Sequence, residues 1–296
     1  MSGFLDDMAR SSALRVMQAQ LSESLSDLER RAKAAARSAP LRLSKSGFDV
    51  IAELKLRSPA AGRLGEHSDD WLKRVADYAR GGAAAVSVLT EPSRFDGSLE
   101  HLQRASLALV PFNVPAMRKD FLVDPYQVLE ARAAGAGGVL VIVRMLSRSQ
   151  MSELLAAAAE HGMFVLLEAF DADDLAAARE LLALRTGDLA SQGRAGGGGA
   201  SGGGASGGGG DDILVGINCR DLQTLEVVPG RFEALAPQLP RNCAAVAESG
   251  VASAADAKRM MRLGYRLVLI GTALMSRDDP AQLLREILAT TRTVES

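Results

Sequence analysis

The sequence has few of the residues on which several classes of protein depend. Its two cysteines, Cys219 and Cys243, are too few for a disulfide framework and are typical of a reducing compartment such as the cytoplasm. Its three histidines, His67, His101 and His161, lack the spacing of metal ligands, so we expect no metal site. No apolar run approaches the roughly 20 residues of a membrane-spanning helix. The acidic, polar start MSGFLDDMARSS also lacks the apolar core of a secretory signal.

An excess of charge of either sign is also missing. The 296 residues contain 34 Lys and Arg against 36 Asp and Glu, which leaves a net charge of −2 at pH 7. Such a chain lacks the basic surface that binds nucleic acid or an anionic membrane, so we expect neither as a partner. With 47% hydrophobic residues, the chain has the composition of a globular protein that can bury a sizeable core.

One segment of the chain has almost no side-chain chemistry. Residues 195–210 read AGGGGASGGGASGGGG, so they have nothing to bury and a high backbone entropy. With its flanks, this glycine-rich segment is predicted to be flexible over about 186–212. It is either a linker between two domains or an insert within one domain.

Eight short apolar runs favour an insert within one domain. Each run is almost continuously apolar, as in parallel strands that are covered on both faces. Successive runs start 24 to 35 residues apart, except for one interval of 50 that contains the glycine-rich segment. The runs cover residues 49–54, 84–89, 114–118, 138–144, 163–168, 213–218, 243–248 and 267–271.

Helical patterns separate these runs. Apolar residues repeat every three or four positions before Gly135, Gly162 and Gly264, and glycine commonly follows the last turn of a helix. Eight strand–helix units predict one α/β domain, a (β/α)8 TIM barrel over 49–296, preceded by an N-terminal helical extension over 1–48. A doubly wound open sheet is the alternative, but no G-x-G-x-x-G motif follows the first run.

The extension carries an apolar stripe of its own. Five apolar residues between 11 and 37 are spaced as on one face of a helix. We predict an amphipathic helix that caps one end of the barrel through this stripe. The alternative is that the extension also forms part of a lid over the site. The stripe consists of Leu14, Met17, Leu21, Leu25 and Leu28.

Charged and polar side chains collect where the predicted strands end, which is where barrel enzymes have their active sites. The period of two places Glu53 and Lys55 on the same inward face. Carboxylates and ammonium groups in one pocket must pair or shift each other's pKa values. Such a set suits several proton transfers without a cofactor, and a stabilising ion-pair network at the rim is the alternative. The other candidates are Lys119, Glu168, Asn218, Arg220 and Glu248.

A second group of residues predicts a phosphorylated ligand. Ser249 and Gly250 follow the seventh run, and Gly271 and Thr272 follow the eighth. These two loops commonly bind phosphate in barrels, through backbone N–H groups and hydroxyls. Ser58, after the first run, could add a hydroxyl.

Apolar residues near the same rim could hold a flat aromatic group. Ordinary packing beneath the loops is the alternative, and composition alone does not separate the two. These residues are Phe95, Phe121, Leu140 and Leu222.

Six stretches, in order along the barrel, carry a resemblance to a known family. They read IAELKLRSPAAG, GGAAAVSVLTEPSRFDGSLEHL, MRKDFLVDPYQVLEARAAGA, LLEAF, GINCRDLQTLEV and AESGV. Over residues 49–290, apart from the insert, the chain resembles indole-3-glycerol phosphate synthase. The resemblance implies an indole ring closure of tryptophan biosynthesis that uses no metal or organic cofactor. Its substrate, 1-(2-carboxyphenylamino)-1-deoxyribulose 5-phosphate, loses carbon dioxide and water.

The resemblance also implies roles for the candidate residues. Lys119 would protonate the substrate ketone, Lys55 would bind substrate and assist the dehydration, and Glu168 would transfer protons. Glu53 would hold Lys119 or a substrate hydroxyl. Substrate would be positioned by Asn218, Arg220, Glu248 and Ser249, its phosphate by Ser58, Gly250, Gly271 and Thr272, and its ring by Phe95, Phe121, Leu140 and Leu222.

Two other functions stay open. One is a related barrel lyase that acts on a modified anthranilate-derived substrate, which would prefer ring-substituted analogues. The other is a non-catalytic barrel that binds a phosphate ligand and uses the glycine-rich segment as a tether. For the lyase, we expect a small phosphorylated aromatic substrate, a cytoplasmic location, and a monomer or weak dimer.

The position of the insert leads to a first testable prediction. It falls between the helix after the fifth strand and the sixth strand, and such loops lie at the amino-terminal face, opposite a barrel's active site. Deleting residues 195–210 should leave turnover unchanged and raise stability slightly, because a shorter loop costs less closure entropy. Steady-state kinetics and thermal denaturation check this. Lost activity or a lost partner would contradict a silent insert.

Overall fold

Eight parallel strands form a closed barrel, in which each strand is hydrogen-bonded to the next along the chain and the first to the last. They belong to a computed structural model that describes residues 3–45, 47–58, 62–63, 70–192, 213–222 and 224–292, without the side chains of 58, 63, 70 and 185–192. Helices alternate with the strands. The architecture is a (β/α)8 TIM barrel, which confirms the predicted fold class.

The first strand closes the barrel. Asp49 lies opposite Leu267 of the last strand, and Leu54 lies opposite Val88 of the second. Each predicted apolar run matches its strand to within two residues at either end. The strands are β1 (Asp49–Leu54), β2 (Ala85–Leu89), β3 (Ala116–Lys119), β4 (Gly138–Ile142), β5 (Phe164–Ala169), β6 (Ile213–Asn218), β7 (Ala244–Glu248) and β8 (Leu267–Ile270). After β1, Arg57–Ser58 and Gly62–Arg63 form a short antiparallel pair.

Helices precede the barrel and connect its strands. They are α1 (Phe4–Ser22), α2 (Leu25–Ala34), α3 (Asp70–Arg80), α4 (Pro92–Phe95), α5 (Leu99–Leu109), α6 (Pro125–Ala133), α7 (Arg148–Glu160), α8 (Ala172–Gln192), α9 (Arg231–Leu235), α10 (Ala254–Arg262), α11 (Thr272–Met275) and α12 (Pro280–Thr291). Single 3-10 turns cover Val110–Phe112, Val143–Met145 and Ala236–Gln238. None of these described helices is long and apolar enough to cross a membrane.

Short polar residues start the helices, and glycine ends several of them. The Ser147 and Ser253 hydroxyls accept backbone N–H groups at the starts of α7 and α10, and Asp124 does so at α6. Gly135 and Gly264 follow α6 and α10 with φ of +87° and +96°, a conformation that glycine adopts without strain. The predicted stop signals are confirmed at both positions.

The strands are buried on both faces. Alternate residues such as Ile51 and Leu166 point into the barrel, and their neighbours such as Val50 and Leu167 pack beneath the helices. This double burial explains why each strand reads as an almost continuous apolar run. Near the carboxyl ends of several strands, inward residues such as Glu53, Lys119 and Glu168 are charged, and this change of chemistry creates the site.

The extension differs from the prediction. It contains two helices, because α1 ends at Ser22 and α2 begins at Leu25. Of the predicted stripe only Leu28 is buried, whereas Leu14, Met17, Leu21 and Leu25 are 50–90% exposed. The prediction that this stripe packs on the barrel is therefore wrong for four of its five residues.

The physical reason is that α1 meets the barrel with a different face. Its buried residues are Met8, Ser12 and Val16, and Ser12 accepts a hydrogen bond from Gln127 at 2.8 Å. Polar contacts of this kind are invisible to a search for apolar spacing. The break between the helices also interrupts the register that the stripe assumed.

The start of the predicted insert is helical. Helix α8 continues to Gln192, so the first residues of the stretch 186–212 belong to it. Residues 193–212 lie outside the described residues. The strand that follows is β6, so the segment joins α8 to β6 within the barrel.

Leu28 and Leu21 offer a matched test of the corrected packing. Leu28 is 0% exposed against Tyr126 and Leu129, and Leu21 is 90% exposed. Leu28→Ala should lower the free energy of unfolding by about 2–5 kcal/mol, since it leaves a cavity. Leu21→Ala should change it by less than about 0.5 kcal/mol. Urea denaturation measures both, and equal losses would refute the assignment of buried faces.

Candidate active site

A cavity opens at the carboxyl-terminal ends of the barrel strands. Residues from six strand ends, from the loops that follow the strands and from α1 line it. Eleven of the predicted site residues line this cavity. They are Glu53, Lys55, Phe95, Lys119, Phe121, Leu140, Glu168, Asn218, Arg220, Leu222 and Ser249.

The Lys119 ammonium group lies among three carboxylates. Its Nζ is 2.9 Å from Oε2 of Glu248, 3.5 Å from Oε2 of Glu168 and 3.6 Å from Oε2 of Glu53. The lysine ends β3, and the carboxylates come from β7, β5 and β1. All four side chains point inward because each continues the alternation of its strand. The barrel thus brings these four predicted residues together.

A second ammonium group joins the same cluster. Nζ of Lys55 lies 3.0 Å from Oε1 of Glu53 and 3.4 Å from the Thr272 hydroxyl. The Glu53 carboxylate thus contacts both lysines, one through each oxygen. This is the arrangement that the i, i+2 spacing of Glu53 and Lys55 predicts.

These contacts shift the proton affinities of the cluster. Burial alone would lower the pKa of Lys119, but the carboxylates of Glu248, Glu168 and Glu53 raise it above its usual value. Burial would raise the pKa of Glu53, and the nearby Lys55 and Lys119 lower it instead. Burial, with help from the Glu168 carboxylate and against Lys119, raises the pKa of Glu248 to about 8. At neutral pH the site therefore holds a charged Lys119, a charged Glu53 and a protonated Glu248.

A chain of hydrogen bonds orients the polar wall beside this cluster. Asn218 donates from Nδ2 to Oε1 of Glu168 at 3.1 Å. Its Oδ1 accepts from the Ser249 hydroxyl at 3.0 Å and from the Arg220 backbone N–H at 2.9 Å. Ser249 has a φ of +66°, a strained conformation for a residue with a side chain and a common one at functional sites.

Two glycines leave room for the carboxylates. A Cβ atom on Gly216 would lie 2.1 Å from Oε1 of Glu248, and one on Gly271 would lie 2.3 Å from Oε1 of Glu53. Any side chain at either position would displace a carboxylate from its lysine. The inward-facing positions of β6 and of the loop after β8 therefore require glycine for the site to form.

Aromatic and aliphatic side chains form the opposite wall. The Phe121 ring stands edge-on to Phe4 with centroids 5.8 Å apart, and lies 6.3 Å from the Phe95 ring. Leu140 and Leu222 also line the cavity. The arrangement matches the predicted apolar rim and could accept a flat ring.

Of the predicted phosphate-binding residues, Gly250, Gly271 and Thr272 lie next to residues of the cavity and do not line it themselves. Thr272 contacts Lys55, and Gly271 adjoins Glu53. Gly250 has a φ of +79° and faces Val227. Ser58 ends a short strand, and its side chain lies outside the described residues. A phosphate site formed by these four residues stays a prediction.

Five residues of the cavity were not among the predicted ones. Ile142 and Leu89 could have been found, since both continue the inward alternation of their strands. Phe4 and Leu225 had no such signal, because they reach the cavity from α1 and from the loop after β6. Asp120 completes the set, and it also accepts hydrogen bonds from groups outside the cavity.

Among the described residues, no three His, Cys, Asp or Glu side chains are grouped so as to hold a metal ion. Cys219, which the alternation of β6 places outside the barrel, is buried and donates to the Val228 carbonyl oxygen at 2.9 Å. Burial raises the pKa of its thiol, so it is a poor nucleophile.

Comparison with known proteins points to one family. A family model described as indole-3-glycerol phosphate synthase matches residues 5–187 and 210–287. A protein of that name from Rhizorhabdus wittichii is 35% identical over 294 residues, covering 97% of this chain and 99% of the relative. Another from Koribacter versatilis is 34% identical, covering 97% and 98%. One from Leifsonia xyli is 40% identical over 235 residues, covering 79% and 77%.

Solved structures share the fold at much lower identity. A 3-hexulose-6-phosphate synthase from Salmonella typhimurium superposes with a TM-score of 0.57 at 16% identity, covering 82% of this chain and 98% of the other. A thiamine phosphate pyrophosphorylase from Pyrococcus furiosus superposes with a TM-score of 0.52 at 13% identity, covering 81% and 93%. Likeness at this level shows the barrel alone.

The raised pKa of Glu248 predicts a pH-dependent effect on stability. A folded-state pKa of about 8 against an ordinary 4.5 means that the folded protein holds this proton more tightly than the unfolded chain. The stability that comes from Glu248 is thus complete below pH 4.5 and is lost as the pH rises through 8. Glu248→Gln keeps the shape of the protonated form and removes this loss.

We therefore expect the Tm of Glu248→Gln to rise relative to the Tm of wild type as the pH increases from 4.5 to 8. One pKa unit is worth about 1.4 kcal/mol, and about 1 kcal/mol moves Tm by about 2–4 °C, so the gain should reach at least about 3 °C. Thermal denaturation at several pH values measures it. Glu100→Gln, whose side chain is 74% exposed, is the control. A difference that stays constant with pH would disprove the raised pKa.

Proposed function

The chain belongs to the indole-3-glycerol phosphate synthase family, and we propose that its barrel mouth closes an indole ring with Lys119 as the acid. It is a decarboxylating lyase of tryptophan biosynthesis. The substrate is 1-(2-carboxyphenylamino)-1-deoxyribulose 5-phosphate, and the products are indole-3-glycerol phosphate, carbon dioxide and water. The observation that carries the proposal is the buried Lys119 ammonium group among the carboxylates of Glu53, Glu168 and Glu248.

The first step forms a carbon–carbon bond. The ring carbon that bears the carboxylate attacks the ribulose ketone, and the ketone oxygen gains negative charge as its double bond opens. Because the Glu248, Glu168 and Glu53 side chains raise the pKa of Lys119, its ammonium group can hydrogen-bond to this oxygen and give it a proton. The bond from the ring to the carboxylate then breaks, and its electron pair restores the ring as carbon dioxide leaves.

The second step removes water. The hydroxyl made from the ketone leaves with a proton, and a proton is lost from the substrate as the indole ring becomes aromatic. Lys55 is placed to assist the departure of the hydroxyl, since its ammonium group lies across Glu53 from Lys119. Glu168, held by Asn218, is placed to transfer the second proton. All proton transfers come from side chains, so the proposal needs no metal or organic cofactor.

We assign the ring and the phosphate of this substrate to different parts of the cavity and its border. The aromatic ring would lie against Phe95, Phe121, Leu140 and Leu222, and Asn218, Arg220, Glu248 and Ser249 would position the polar chain. The phosphate would lie at Ser58, Gly250, Gly271 and Thr272, beside the lysine cluster. Contact of Thr272 with Lys55 supports this placement.

We also propose the functional unit and its surroundings. The barrel of residues 49–296 would act together with the extension of residues 1–48, because Phe4 of the extension lines the cavity. Two unpaired cysteines support a cytoplasmic location. A monomer or weak dimer is the expected assembly.

Replacing Lys119 with Met tests the assigned acid. The variant keeps the length of the side chain and removes the proton, so turnover should fall by at least about 100-fold. The measurement is the fluorescence of indole-glycerol phosphate formed from the carboxyphenylamino-deoxyribulose phosphate, without added metal. Lys258→Met, at an exposed position on α10, is the control and should keep normal turnover.

Three outcomes would count against the proposal. Near-normal turnover by a folded Lys119→Met variant would remove Lys119 from the role of acid. A wild-type protein that binds the substrate without converting it would indicate a substrate with a modified ring. Absence of both binding and turnover would indicate that the barrel serves another function.

A further inference from the structure

Lys119 lies between two charged residues whose side chains are paired outside the lysine–carboxylate cluster, although Asp120 also borders the cavity. Arg118 precedes it and Asp120 follows it, and both are only 2% exposed. Their direction follows from the alternation of β3, which turns Lys119 inward and its neighbours outward. Buried charges of this kind are stable only when they are paired and hydrogen-bonded.

Asp120 is saturated with hydrogen bonds. Its Oδ1 accepts the Phe121 backbone N–H at 2.8 Å, and its Oδ2 accepts the Thr90 hydroxyl at 2.7 Å and Nη2 of Arg118 at 3.1 Å. Arg15 adds two more bonds, from Nη2 to Oδ1 at 2.8 Å and from Nη1 to Oδ2 at 3.0 Å. A guanidinium that binds both carboxylate oxygens in this way fixes orientation as well as charge.

Arg118 connects the end of β3 to neighbouring elements of the barrel. Its Nη1 donates to the Gln127 carbonyl oxygen at 2.8 Å and to Oε2 of Glu130 at 2.9 Å, both on α6. Its Nε donates to the Thr90 hydroxyl, just after β2, at 3.1 Å. The backbone on both sides of Lys119 is thus held by contacts on the outer side of the barrel wall.

Arg15 comes from outside the barrel. It lies on α1, whose Ser12 hydroxyl also accepts a bond from Gln127 of α6. The first residue of the same helix is Phe4, which packs on Phe121 over the cavity. Helix α1 therefore contacts both the charged residues that flank Lys119 and the apolar wall of the cavity.

The balance of charges around Asp120 shows why the Arg15 guanidinium is needed. Arg15 and Arg118 face Asp120 and Glu130, two charges of each sign. Burial would raise the pKa of Asp120, but Arg118 and Arg15 hold it well below its usual value, so the carboxylate keeps its charge. Without Arg15, two carboxylates would share one guanidinium, and each oxygen of Asp120 would lose one of its hydrogen bonds.

We propose that Arg15 is a positioning residue for the reaction: its two-pronged bond to Asp120 fixes the end of β3, directs the Lys119 ammonium group at the substrate, and holds Phe4 over the cavity. The inference rests on the proposed function, because it gives Lys119 the role of acid. It makes the extension part of the catalytic machinery, although α1 supplies no acid or base.

Arg15→Met is the direct test, with Arg10→Met as its matched control. Methionine keeps an apolar stem and removes the guanidinium. Arg10 lies on the same helix and pairs with Asp7 at the exposed surface. Since a misplacement of about 1 Å can cost about 100-fold in rate, we expect kcat of Arg15→Met to fall by about 10- to 100-fold, with a rise in KM. Arg10→Met should match wild type in both constants.

Two further variants separate positioning from simple loss of stability. Phe4→Ala removes only the wall contact, so it should raise KM and leave kcat close to wild type. Arg15→Lys keeps the charge without the fork, so it should restore stability while kcat stays below wild type. All rates are measured well below the Tm of each variant. Hydrogen exchange of the Phe121 amide, whose acceptor is Asp120, should be faster in Arg15→Met than in Arg10→Met.

The outcomes distinguish the inference from the proposed function. Active wild type with an Arg15→Met variant that matches Arg10→Met in kcat and in exchange would overturn the inference alone. A lower Tm with unchanged kcat would also overturn it, since Arg15 would then be merely structural. A wild-type protein that converts no substrate would overturn the proposed function, and the positioning role with it.

Discussion

The buried Lys119 ammonium group and its three carboxylates are the interaction on which the rest of this structure depends. Taking these charged and polar groups out of water costs free energy that only close pairing offsets, so the partners must arrive at bonding distance together. Glu53, Glu168 and Glu248 come from strands on different sides of the barrel. Only a closed sheet brings them to one point. The closure of the barrel and the formation of the site are therefore the same structural event.

Several otherwise unrelated features follow from this cluster. Glycine at 216 and 271 leaves the space that the carboxylates occupy. The strained backbone at Ser249 lets its hydroxyl reach Asn218, which in turn holds Glu168. The unequal environments of the carboxylates leave Glu53 charged and Glu248 protonated at neutral pH. One cavity thus holds proton donors and acceptors side by side, as a reaction with several proton transfers requires.

The strand that carries Lys119 serves both faces of the barrel wall. Its inward residue enters the cluster, and its outward neighbours Arg118 and Asp120 bind a second, balanced set of charges. Through Arg15 this outer set includes the amino-terminal helix. Precise placement of a catalytic group depends on such contacts with the neighbouring residues, because a side chain is only as fixed as the backbone that carries it.

The sequence by itself determined the barrel and most of its mouth. Apolar runs, their spacing and the period of two were sufficient to place Glu53 and Lys55 on one inward face, and Leu140 near the rim. These features are local and repeat along the chain, so they can be recognised without knowing the fold. Leu89 and Ile142 obey the same alternation and were within reach of it.

Only the tertiary structure decided how the amino-terminal extension meets the barrel. Apolar spacing pointed to Leu21, yet α1 buries a partly polar face and sends Arg15 to a carboxylate 105 residues away. The position of Phe4 over the cavity was equally hidden. A helix's sequence shows which of its faces is apolar. Which face it buries depends on the partner that the rest of the chain presents, here a buried carboxylate in need of a cation.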